Sequence, residues 1–201
     1  YKPATIGRRL QKRLSSLKIN SIEEYLEYVE RNPQELDSLF NMILIGVTCF
    51  FRDTLAFVEF EKVILKILNS KPEGEPIRIW APGCATGEEA YSLAILLCKN
   101  LKEKIANYNV QIFATDIDEK AISIARKGIY SAESLKDMPQ DLVNQFFSKK
   151  GNQFELSKSV RSLVLFSKHD LTSNPPFLKL DLICCRNLLI YFGSHLQKQI
   201  I

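Results

Sequence analysis

Histidine is nearly missing from the 201 residues: there are two, His169 and His195, and neither has metal-ligand spacing to another candidate ligand. No metal site is therefore expected. The five cysteines, at 49, 84, 98, 184 and 185, include no CxxC pair, and Cys184 and Cys185 adjoin in an apolar stretch. Buried, reduced thiols are expected, as in a reducing cytoplasm. No apolar run reaches the ~18 residues of a membrane-spanning helix, and no secretory signal opens the chain, so membrane insertion is not expected. Charge of one sign is also scarce: the net charge is +4, too little for a dedicated nucleic-acid binder, and no aromatic-basic stacking platform is legible. What is there is 46% hydrophobic and 25% charged, the composition of a globular domain with a sizeable core, or of a module within a larger protein.

Residues 1–46 read as all-helical. Ile6, Leu10, Leu14 and Leu17 recur at helical spacing, with Arg8, Arg9, Lys12 and Arg13 on other faces. Ser21 followed by Glu24 is a capping box that opens a second helix ending near Arg31. Asn32-Pro33 interrupts it, and a third helix is expected over 34–45. Residues 47–76 form a linker and an amphipathic helix from about Leu55 to Leu68, closed by the polar loop "NSKPEGEP". Residues 77–201 change character. "IRIW" (77–80), "VQIFATD" (110–116) and "LDLICC" (180–185) read as short buried strands. Helical patterns over 88–101 and 119–127 separate the first two, which predicts βαβ units and a parallel sheet. Residues 151–168 read as a small β excursion.

Ligands of open parallel sheets bind outside the carboxyl ends of the strands. "IRIW" is followed by "APGCATGEE", in which Gly83 and Gly87 let backbone come close to a ligand. This is neither GxGxxG nor GxxxxGK[ST]: Glu88 stands where a phosphate-binding lysine would follow the glycine. Glu88 and Glu89 would repel a pyrophosphate in spite of the helix dipole. A cationic ligand without phosphate suits the bend, and S-adenosylmethionine, with its α-amino group and sulfonium, fits. The bland alternative is that both glutamates only stabilise a helix N-terminus. Asp116, at the end of the second strand, is placed to accept from ribose hydroxyls, with an N-cap role as the alternative and Asp118 as the better cap. The third strand ends at Arg186 and Asn187, with Tyr191 just beyond.

Together "VTCFFRD", "GCATGEEAYS", "ATDID", "RKGIY" and "CRNLLIYF" resemble, in order and spacing, the CheR-type chemotaxis receptor methyltransferases, over nearly the whole chain. The resemblance implies an α/β, Rossmann-like class I methyltransferase sheet with an all-helical N-terminal subdomain and a small inserted β-subdomain. It implies S-adenosylmethionine as cofactor, S-adenosylhomocysteine as product, and glutamates on the cytoplasmic helices of methyl-accepting chemoreceptors as substrate. Carried over by position, Thr48 and Arg52 approach the cofactor from the linker, and Glu89 receives its amino group. Asp116 holds the ribose and Asp170 with Leu171 lies beside adenine, although asparagine is frequent in the family where Asp170 stands. Gly83, Arg186 and Asn187 complete the pocket, and Arg52 and Tyr191 lie near the methyl group as the candidates for orienting the substrate carboxylate.

Two departures from the family pattern stand out. Gly46 occupies a position where some members carry asparagine, and the fold is expected to continue beyond Ile201 into a final hairpin. The expectation is that C-terminal strands are truncated, leaving an apolar edge and weak cofactor binding. The basic first helix, through Arg8, Arg9, Lys12 and Arg13, is expected to dock acidic receptor helices, with a merely solvated face as the alternative. Fusion to further signalling domains is open, and so is a second class of function: a non-catalytic CheR-like binding module of a larger signalling protein.

Overall fold

The computed structural model describes residues 2–44, 46 and 48–200. Ile45 and Val47, at the expected end of the third helix and start of the linker, lie outside them. The chain forms two compact units: Tyr1–Ile45 joined by Asn187–Ile201, and Gly46–Arg186. None of the helices among the described residues is long and apolar enough to cross a membrane.

In the first unit, α1 (Pro3–Leu17) starts with proline in its first turn, where the missing N–H costs nothing, and stops at Lys18 in the left-handed conformation. α2 (Ile22–Arg31) has the cap half of the expected box, with its glutamate reaching one residue before the cap. The Glu24 amide donates to Ser21 Oγ at 3.1 Å, and the Glu24 carboxylate in return accepts from the Asn20 amide at 3.2 Å. α3 (Glu35–Ile43) begins on a buried carboxylate. Arg13 donates from Nε and Nη2 to the two Glu35 oxygens, each at 2.6 Å, and the Tyr25 hydroxyl donates to Glu35 Oε1 at 2.8 Å. One three-residue cluster thus links all three helices. Residues 187–201 contribute a short helix, Ser194–Ile200, and the Tyr191 carbonyl accepts from the Lys2 amide at 2.9 Å.

The doubly bonded Arg13 guanidinium, against the opposing effect of burial, holds Glu35 below the usual carboxylate range. A depressed folded-state pKa contributes stability above the unfolded value of about 4.3, and that stability is lost as pH falls through the folded value. Glu35→Gln is expected to cost about 3 kcal/mol at neutral pH, the low end for a broken buried pair because Arg13 stays 21% exposed. Thermal melts followed by circular dichroism at descending pH should show the parent losing the difference in acid. A Glu35→Gln melt coincident with the parent at pH 7 would remove the cluster's structural role.

The second unit opens with α4 (Thr54–Ser70), followed by β1 (Pro76–Pro82), α5 (Glu88–Leu101), β2 (Asn109–Asp116) and α6 (Glu119–Lys127). Then come β3 (Ile129–Ser131), α7 (Gln140–Phe146), β4 (Phe147–Lys150), β5 (Gln153–Leu156), α8 (Lys158–Arg161), β6 (Val164–Lys168) and β7 (Leu182–Ile183). The main sheet runs β6-β2-β1-β7, all parallel, and β3-β5-β4 is a separate antiparallel sheet. Ile79 pairs with Ile112 on one side and Leu182 on the other. Alternation sends Ile77, Ile79, Ala81, Ile112 and Ala114 to one face, where they are buried with Leu93 and Leu97 of α5. Each fully buried Ile or Leu contributes about 1.5–3 kcal/mol. α5 is apolar almost all round because almost all of its surface is covered.

The segment 151–168 differs from the sequence reading. Its first part belongs to the antiparallel sheet, which begins earlier, at Ile129. Val164–Lys168 instead forms the edge of the parallel sheet beside β2, with Ala114 opposite Phe166. "LVLF" suits either sheet by propensity, and burial of Val164 against the main core decides between them. The third expected strand shortens to Leu182–Ile183, although the Asp181 and Cys184 amides still donate to Arg78 and Trp80 carbonyls.

Candidate functional site

All four parallel strands release their chains at the same end of the sheet. The bend after β1 turns sharply: Gly83, Ala85 and Gly87 have φ of 69°, 46° and 95°. Gly87 cannot be replaced freely, since a Cβ there would stand 2.9 Å from Ala125 Cβ and 3.0 Å from the Phe166 ring. The bend is held by its neighbours. The Cys84 amide donates to the Thr115 carbonyl at 3.0 Å, and the Ala85 amide to Asp116 Oδ2 at 2.8 Å. The Tyr130 hydroxyl, from β3, donates to the Thr86 carbonyl at 2.8 Å. Asp116 Oδ1 accepts from the Asp118 amide at 2.9 Å, so the carboxylate fixes both loops while staying half-exposed. Asp118, as expected, is the N-cap of α6, accepting from the Lys120 and Ala121 amides.

The two glutamates divide. Glu88 is 4% exposed and accepts from the Thr86 hydroxyl at 2.6 Å; burial pushes its carboxyl above the ordinary range. Glu89 is 13% exposed and accepts from Arg186 Nη1 at 3.0 Å and from the Cys184 thiol at 3.4 Å. Burial also raises its pKa, against the pull of Arg186 and Arg52. Arg186 is a hub: its Nη2 donates to the Arg52 carbonyl at 2.8 Å and to Asp53 Oδ2 at 2.7 Å, and its guanidinium lies over the Phe57 and Phe60 rings. The segment it grips is itself strained, with φ of 52° at Phe51 and 60° at Asp53. The Phe51 amide is anchored on the buried Ser92 hydroxyl of α5 at 3.0 Å.

Asp170 is the second residue after β6, and the His169 amide between them donates to the Asp116 carbonyl at 2.9 Å, so the two strand ends adjoin. The Asp170 carboxylate already accepts from the Thr172 amide and hydroxyl, which hold it below the usual range, and Leu171 is half-buried. His169 packs against Trp80 and Phe177 with Nε2 3.1 Å from the Pro175 carbonyl, a structural position. Thr48 is half-buried at the start of the unit. Asn187, exposed at φ 53°, and Tyr191 belong to the first unit.

The structure therefore brings Gly83, Glu89, Asp116, Asp170, Arg186 and the Arg52 backbone to the carboxyl ends of one sheet. It gives Arg13 an internal task as the partner of Glu35, and Arg9 donates to the Met42 carbonyl at 3.2 Å, which leaves Arg8 and Lys12 exposed on α1. Sequence reasoning missed Asp53 and Cys184. Asp53 stood in plain view as the last residue of "FFRD", but its value lies in a partner 133 positions away.

A parallel sheet with a small-residue bend after the first strand and a carboxylate at the end of the second is the frame of a Rossmann-like methyltransferase. Residues 46–201 match the family description "CheR methyltransferase, SAM binding domain", and residues 1–44 match "CheR methyltransferase, all-alpha domain". The chain belongs to the CheR methyltransferase family, and the domain it carries makes S-adenosylmethionine its cofactor. It is 33% identical to "Chemotaxis protein methyltransferase 2" of Vibrio cholerae over 94% of this chain and 67% of that protein. It is 34% identical to "Chemotaxis protein methyltransferase" of Borreliella burgdorferi, over 95% and 72%. An "Uncharacterized 104.1 kDa protein in hypE 3'region" of Rhodobacter capsulatus is 38% identical over 99% of this chain, which spans only 21% of that protein.

The donor set fits this cofactor. An enclosed carboxylate beside a bend of small residues suits an ammonium, Asp116 keeps lone pairs for ribose hydroxyls, and no lysine waits for a phosphate.

Proposed function

We propose that the chain transfers a methyl group from S-adenosylmethionine to glutamate side chains of methyl-accepting chemoreceptors, giving glutamyl methyl esters. The observation that carries this reading is the enclosed Glu89 carboxylate, shared with Arg186 at the mouth of the sheet and next to a bend pinned by Asp116. Glu89 receives the amino group, Asp116 the ribose, and Gly83, Thr48, Asp170, Leu171 and Arg186 line the remainder. When bound, the cofactor supplies a methyl group on a positively charged sulfur. The substrate carboxylate is already ionised at neutral pH, with an unperturbed pKa of about 4.3, so no general base is required. What the protein contributes is alignment and exclusion of water. Arg52 grips the incoming carboxylate. Arg8 and Lys12 draw in the acidic receptor helix, in a reducing cytoplasm, with further signalling domains fused to the chain.

Arg52→Ala, made in the full-length protein and incubated with radiolabelled cofactor and receptor membranes, is expected to lower methyl transfer at least a hundredfold. S-adenosylhomocysteine affinity should change less than fivefold. Base-labile label on receptor glutamates in the parent supports the reading, and equal losses of transfer and affinity would move Arg52 to a purely cofactor-holding role. A parent that binds cofactor yet labels no receptor would be a binding module.

A further inference from the structure

Asp53 is a carboxylate of the Arg186 cluster that the proposed function does not use. It sits in the left-handed region at φ 60°, directly before α4, with its side chain 63% exposed. Its Oδ2 accepts from Arg186 Nη2 at 2.7 Å, the same nitrogen that donates to the Arg52 carbonyl at 2.8 Å, while Nη1 serves Glu89 at 3.0 Å. Among the described residues, Glu89 and Asp53 are the carboxylates paired with this guanidinium. The arrangement has a consequence for an arriving ammonium, which must share Glu89 with a cation already there. A guanidinium balanced by a second anion on its far edge can give up part of Glu89. One without that anion turns wholly onto Glu89 and competes with the ligand.

We infer that Asp53 is a positioning residue for cofactor binding: it holds Arg186 between two carboxylates and keeps Glu89 available to the cofactor's amino group. The inference rests on the assignment of Glu89 as the ammonium acceptor. Because Asp53 is largely solvated, its pairing with Arg186 is screened and its effect is modest. It acts on the affinity of the cofactor, not on the rate once the cofactor is bound, because the competition is over when the ammonium is seated.

The test uses the full-length protein with S-adenosylhomocysteine titrated by calorimetry and methyl transfer measured at varied S-adenosylmethionine. Asp53→Asn is expected to weaken binding about fivefold and to raise the cofactor KM by a similar factor, with kcat within twofold of the parent. Asp53→Glu, which restores the charge, should recover at least half of the loss. A merely structural role would lower kcat and thermal stability together and would not be rescued. Affinity within 1.5-fold of the parent in Asp53→Asn, while Glu89→Gln has lost binding, overturns the inference and leaves the assignment of Glu89 standing. Unchanged binding in Glu89→Gln overturns that assignment and this inference with it.

Discussion

Glu89→Gln is expected to weaken S-adenosylhomocysteine binding roughly a hundredfold, measured by calorimetry on the full-length protein at neutral pH. Glutamine keeps the shape and an acceptor but removes the charge that an ammonium needs. Truncating one partner of an enclosed, hydrogen-bonded charge pair costs about 2–5 kcal/mol, and a hundredfold is about 2.8 kcal/mol. The loss is kept from the upper end because Arg186, deprived of Glu89, still has Asp53 and the Arg52 carbonyl. The same residue sets the pH dependence. Burial raises the Glu89 pKa and Arg186 only partly offsets it, so as pH falls the carboxyl protonates earlier than an exposed glutamate would. Binding should then weaken at a pH above the ordinary value of about 4.3. In Glu89→Gln that limb of the profile should be gone. An affinity change below threefold would end the assignment of Glu89 as the ammonium acceptor.

Gly87→Ala should destabilise the second unit by about 2–6 kcal/mol. Two costs add. A φ of 95° is a conformation that side-chain-bearing residues rarely adopt, costing about 1–3 kcal/mol. The new methyl also meets Ala125 Cβ at 2.9 Å, which belongs to α6 and can move only with its helix, as well as the Phe166 ring at 3.0 Å, and overpacking of this kind costs about 1–3 kcal/mol. A calorimetric Tm lower by roughly 5–15 °C is expected. Gly151→Ala is the matched control: φ is 60° but nothing lies within 4 Å of the added carbon, so only the conformational cost applies. Equal Tm changes in the two variants would show that the packing around Gly87 is looser than its neighbours indicate.

The elements that were legible in the sequence are those specified by local chemistry. Ser21 and Glu24 announced the start of α2, Asp118 the start of α6, and the apolar alternation of Ile77, Ile79, Val110 and Ile112 the two central strands. Such signals depend on neighbours a few residues away, within reach of a hydrogen bond or a shared face. The bend at 83–87 was legible for the same reason, because its glycines and the two glutamates behind it exclude a phosphate cradle without reference to anything distant. The family could be named from these local motifs in order.

What only the tertiary structure decided are the choices made by distant partners. "LVLF" became an edge strand of the parallel sheet because β2 offered a register that buries Val164. Arg13, which as sequence is one of four similar basic residues, became internal because Glu35 faces it from 22 positions away. The two adjacent glutamates took opposite fates, Glu88 turned to Thr86 and Glu89 to Arg186, since consecutive helix positions point about 100° apart. Asp53 gained its place only when Arg186 closed the loop on it. Local spacing determined where the caps, the two central strands and the bend form. Which charges are buried, and against which partners, was settled by contacts between residues far apart in the chain, because burying a charge is tolerable only where its partner also arrives.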